Sequence, residues 1–146
     1  MDAVLLALVA LLDAALDVPV YDGPRPTSAA DPAYVLVGTD GTADAQGVSV
    51  ELGLSDIGPG DWTDHAGEVT CSVWSVSGDT DMAATRAAAQ NLLDACRAAI
   101  AADPTLGGLL EVGGLAQVTR AELQQIQTGD GALARITFTV AYATTA

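Results

Sequence analysis

With 19 acidic side chains against five basic ones, all arginine, the 146-residue chain carries a formal net charge of −14. A chain so poor in cations cannot neutralise a row of phosphates, the source of nonspecific nucleic-acid affinity, so gripping DNA is excluded as its work. One domain of this length buries roughly 70% of its unfolded surface and needs no staple; Cys71 and Cys96 lack metal-ligand spacing, which predicts two reduced core thiols.

The chain opens on the apolar run VLLALVALL, residues 4–12. Its flanks are Asp2 and Asp13, with no basic region and no small-residue cleavage site, and it falls short of the ~20 residues that span a bilayer. The spacing predicts an N-terminal helix of about four turns, with Val4, Leu8, Leu11 and Ala15 on one stripe and Leu5, Leu12 and Leu16 on a second beside it. A helix apolar over so much of its circumference needs cover on more than one side, from its own sheet or from a neighbouring subunit. Pro19 ends it, and VPVYDGP (18–24) predicts a short strand and a turn. Residues 24–32 carry three prolines without apolar periodicity and are a loop. AYVLVGTD (33–40) is a nearly continuous apolar run, as in a central strand, and VSVELGL (48–54) alternates like a half-exposed one. SDIGPGDWTDHAG (55–67) predicts a loop longer than most connections in a compact domain.

EVTCSVWSV (68–76) sets Val69, Cys71 and Val73 on one face and Trp74 and Val76 on the other, a strand covered in part on both sides. Residues 80–102 predict a second long helix, striped by Met82, Ala89, Leu93, Cys96 and Ile100 and stopped by Asp103-Pro104. VTRAELQQIQ (118–127) reads as strand or helix; strand is favoured because the turn TGDG (128–131) leads into ALARITFTVAY, with Ile136, Phe138, Val140 and Tyr142 on one face. The element order predicts a single α+β domain over 1–146, a mainly antiparallel or mixed sheet with two long helices packed on it.

Two acidic clusters are candidate sites. In SVSGDTDMAATR (75–86), Asp79, Thr80 and Asp81 stand where strand gives way to helix, and the expectation is helix capping: side-chain oxygens accept from unpaired N–H groups, and negative charge meets the positive end of the dipole. No further ligands for a metal lie nearby in sequence. In the 55–67 loop, Asp56, Asp61 and Asp64 surround the only histidine, His65, at a spacing that fits no EF-hand or other ligand template. The apolar Ile57 and Trp62 point instead to contact, so Ile57, Trp62 and Asp64 are the candidate interface residues, on an arm pivoting at Gly58-Pro59-Gly60. The alternative folds Trp62 back over its own sheet. No serine or cysteine stands in a nucleophile elbow and no GxGxxG spacing occurs, so neither an enzyme site nor a cofactor is expected.

YDGP (21–24) after the first helix, the strand AYVLVG, the loop bearing glycines and Trp62 before VTCSVWSVSGDTDMAATRAAAQNLLDA, the connection ADPTLGG and the closing TGDGALARITFTVAY resemble the tail terminator proteins of long-tailed bacteriophages, also called tail completion or minor tail proteins. The likeness covers nearly the whole chain and is strongest at SGDTD, DPTLGG and TGDGA. These are caps and turns, so no catalytic residue is carried over. The resemblance implies a structural virion protein that forms a ring, commonly a hexamer, on the last ring of the tail tube, ending its polymerisation and presenting the docking surface for the head. It implies as partners copies of itself, the tail tube protein and a head–tail connector or neck protein, with no membrane and with DNA passing through the channel unbound. Its place would be the head-proximal end of the tail, after assembly in the host cytoplasm. Three readings stand beside this one: another neck or head–tail connector protein, a small metal-dependent hydrolase using Asp61, Asp64 and His65, and a monomeric binding module.

Overall fold

A computed structural model describes the chain over residues 2–25, 31–41, 50–56, 63–78, 81–110, 115–128 and 131–145. Helix α1 (Asp2–Ala15) leads into strands β1 (Val20–Asp22), β2 (Ala33–Val37), β3 (Val50–Asp56) and β4 (Thr63–Ser77); helix α2 (Met82–Ala102) follows, then strands β5 (Ala116–Thr128) and β6 (Gly131–Thr145). The fold is α+β: both helices pack on one face of a mixed sheet ordered β1-β2-β4-β6-β5, parallel only between β1 and β2. No helix among the described residues is long and apolar enough to cross a membrane.

β4 is the spine of the sheet. One of its edges pairs with β6 from Asp64↔Thr145 to Ser77↔Ala132. The other is shared end to end by β3, opposite Thr63–Val69, and β2, opposite Cys71–Ser75. Residues 55, 56 and 63–67, expected within a loop, are therefore strand, because Ser55↔Asp64 and Asp56↔Thr63 prolong the β3–β4 ladder. Hydrogen bonding to neighbours on both sides outweighs the turn-like composition there. The expected strand 48–54 correspondingly lies at Val50–Asp56. Residues 118–127 are strand, as favoured, with an irregularity between Val118 and Arg120; the glycine pair 113–114, whose sequence suggests a bulge, lies outside the described residues.

Alternation along the strands sends Val35, Val37, Val69, Cys71, Val73, Ile136, Phe138 and Val140 under the helices, where all are buried. α2 contributes Ala89, Leu93, Cys96 and Ile100 at helical spacing; Met82 is only half-buried, and the first turn instead buries Thr85, whose hydroxyl donates to the Asp81 carbonyl at 3.0 Å. α1 seats Val4, Leu8 and Leu12 in the core, an i, i+4, i+8 line that replaces the expected grouping. Leu11 is half-buried and Ala15 exposed. The two central leucines, fully buried, each contribute roughly 1.5–3 kcal/mol.

Candidate functional site

Of the expected capping residues, Asp81 is the N-cap of α2, its carboxylate accepting the Ala84 N–H at 3.0 Å. Asp79 and Thr80 lie outside the described residues, as do Ile57, Asp61 and Trp62. Asp64 and His65 are consecutive positions of β4, Asp64 opposite Ser55 and Thr145, His65 opposite Leu54 and Thr144. Among the described residues no group of three or more His, Cys, Asp or Glu is placed to hold a metal ion. Cys71 and Cys96 are free and buried, and burial pushes both thiols up to about 12, far from the thiolate a nucleophile requires.

The sheet face turned away from the helices carries a ladder of rings and guanidinium groups. Cross-strand neighbours Tyr34 and Trp74 stack with centroids 5.6 Å apart and planes 12° from parallel. The Arg25 guanidinium lies 4.3 Å above the Tyr34 ring, and that of Arg135, opposite Trp74 on β6, lies 5.6 Å from the Trp74 ring. Arg135 also donates to the Asp40 carbonyl at 3.3 Å and to the Gln124 side chain, while the Trp74 indole N–H donates to Ser72 Oγ at 2.9 Å and Ser72 donates to the Thr39 carbonyl. Gly41, at φ +75°, lies against the Trp74 ring where a Cβ would collide. At the rim, Tyr21 donates to Asp31 at 2.6 Å, and this bond to the carboxylate raises the phenol above its usual range. The cluster ties residues 31–41 down on the sheet with its groups already engaged with one another.

A different surface is open. Between α2 and β5 runs a groove of two adjoining hollows, about 410 and 330 Å³, that share Arg97 and Val118. Leu93, Val118, Ala121, Leu123 and Ile136 give one end an apolar floor, rimmed by Gln90 and Arg120; Asp94, Ala98, Ala101 and Gln117 line the other. The remaining arginines have local engagements: Arg25 over Tyr34, Arg86 with Gln125 Oε1 at 3.0 Å, Arg120 with Glu68 at 3.4 Å, Arg135 with Asp40 and Gln124. Arg97 alone makes no hydrogen bond or ion pair among the described residues. β5 forms the sheet edge, pairing on one side only among the described residues, and leaves Leu123 42% and Ile126 56% exposed. Sequence reading did not find the groove, since it depends on where β5 crosses under α2. Leu123 and Ile126, three positions apart, lie on opposite faces of β5, opposite Ile136 and Leu133, and both are exposed because β5 is the edge strand. No protein-family model matches the chain, and no curated protein sequence matches it.

Proposed function

We propose that this chain is a structural subunit, a tail terminator of the kind its sequence resembles, which closes into a ring on the end of a phage tail tube and offers the head its docking surface. The observation that carries this reading is the edge strand β5. It is 13 residues long; Arg120, Glu122 and the irregularity at Val118/Arg120 interrupt its first half, but residues 123–128 carry no charge and no proline and expose Leu123 and Ile126. Monomeric proteins ordinarily blunt such an edge with charge, proline or cover, because its unpaired N–H and C=O groups template pairing with another chain. The opposite side of the sheet ends in β1, of only three residues, and in β3, of seven, which among the described residues pairs only with β4. Two unlike edges favour a head-to-tail contact, and head-to-tail contacts that close make rings.

Light scattering over a concentration series, with negative-stain imaging, tests the proposal. Closed rings, of about six copies by mass, are expected at high concentration or on added tail tubes. An Ile126→Lys variant should melt like the parent, since the site is exposed, yet fail to close rings. A protein monomeric at every concentration, alone and with tail tubes, would overturn the reading.

A further inference from the structure

Resting on that ring reading, we infer that the α2–β5 groove is the seat of helix α1 from the neighbouring copy, with Leu6 in the apolar end and Asp13 against Arg97. Three observations converge on this occupant. First, the outward stripe of α1 is Leu6, Ala10 and Asp13, spaced i, i+4, i+7; all three are exposed and Leu6 is 54% so. Second, this stripe is electrostatically incomplete in a single copy. Asp13 stands in the last turn of α1, where the helix dipole is already negative, with no basic residue in that turn and no ion pair among the described residues. Third, the groove offers the complement. Of the two arginines that line it, Arg120 is paired with Glu68 and Arg97 makes no hydrogen bond or ion pair among the described residues, in a chain with net charge −14 and only five basic residues. An acidic surface meeting its own copies gains most where one of its few free cations faces an acid.

The spacing fits as well. From Leu6 to Asp13 is seven residues, about 10 Å of helix rise, and from Gln90, at the apolar end of the groove, to Arg97 is the same along α2. α1 laid parallel to α2 therefore puts leucine and carboxylate in register with apolar floor and guanidinium together, a helix-in-groove contact. Asp94 lines the groove near Arg97 but takes a hydrogen bond from Gln90 at 3.4 Å, one turn toward the apolar end. Because α1 and the groove are different surfaces of one chain, the contact is head-to-tail.

Arg97→Glu, Asp13→Arg, the double variant and an equimolar mixture of the two single variants test this by light scattering and imaging, with melting curves confirming that these exposed substitutions leave the fold intact. Each single variant should weaken association by about tenfold or more, and the double variant should recover it. The mixture should also recover it, since a ring alternating the two variants offers only complementary contacts. Rings that form equally well from either single variant would overturn the groove assignment, and would leave it to a different occupant, while the ring reading stood. Single-variant losses without recovery in the double variant would overturn the Asp13–Arg97 pairing. A parent that never forms rings would overturn both.

Discussion

Burial holds the thiols of Cys71 and Cys96 protonated to about 12, whereas in an unfolded chain they titrate near 8.5. Above the lower value the unfolded chain sheds protons that the folded chain keeps. Stability is therefore complete below about pH 8.5 and falls as pH rises toward the folded values, by at most about 1.4 kcal/mol per unit for each thiol. Urea midpoints between pH 8 and 9, below the value near 10 at which tyrosines ionise, should decline with pH, and Cys96→Ala should make the decline shallower. A flat profile, or one indifferent to that substitution, would show that the thiols are not the source. Both thiols were legible from sequence because each sits on an apolar stripe, one of a strand and one of a helix. The cap was legible only as a cluster: Asp79, Thr80 and Asp81 all carry capping oxygens, and which one lies three residues before an available N–H depends on where the helix begins. The structure puts that oxygen on Asp81.

Among the elements, periodicity revealed both helices and the strands whose one face is apolar. It failed at residues 55, 56 and 63–67, where Asp, Thr, His and Gly spell a loop and the backbone ladder makes strand. Gly67 is the telling position. It pairs with Tyr142 on β6, whose ring lies where a Cβ would be, so a residue that reads as turn is a slot for an aromatic side chain across the ladder. Nothing local in the sequence announces that. For the expected contact arm this means that a deletion reaching Thr63 or Asp64 would cut into β4, and a loss of stability on such a deletion would not identify Trp62 as core. At the other hairpin, Gly131 opens β6 at φ +139°, and a Cβ there would run into the Ser77 carbonyl of the neighbouring strand. Backbone meets backbone, and neither gives way cheaply. Gly131→Ala should cost at least about 2 kcal/mol, seen as a melting point lower by roughly 4–8 °C. Gly78→Ala, where a Cβ meets nothing within 4 Å, is the control and should shift it by about 1 °C or less. Equal losses at both sites would refute the steric account.

At the scale of the whole molecule, charge decides what the surface tolerates. The formal charge of −14 could be read before any element was placed, but whether the five arginines pool into a patch could not. At most two share a site: Arg97 and Arg120 line one hollow of the α2–β5 groove, with Arg120 paired to Glu68, while Arg86 is held by Gln125 and Arg25 and Arg135 flank the aromatic ladder on the face away from the helices. Duplex DNA releases counterions only to cations that can line up along its phosphates, and no such line is present among the described arginines. Mobility-shift titration with duplex DNA near physiological salt should therefore show no complex. The same charge acts between copies. At low ionic strength the repulsion of two strongly acidic subunits extends over a Debye length of about 30 Å, comparable with the subunit itself; at 0.15 M salt it shrinks to about 8 Å. A single complementary pair at the contact is weakened by the same salt, but it opposes one charge product against the many of the whole surface. Self-association measured by light scattering should accordingly tighten as salt is raised from about 0.01 to 0.15 M, while DNA binding stays absent throughout. Association that instead loosens with salt, or a salt-sensitive complex with DNA, would mean that a cationic surface dominates the contacts of this chain, contrary to the distribution of its arginines.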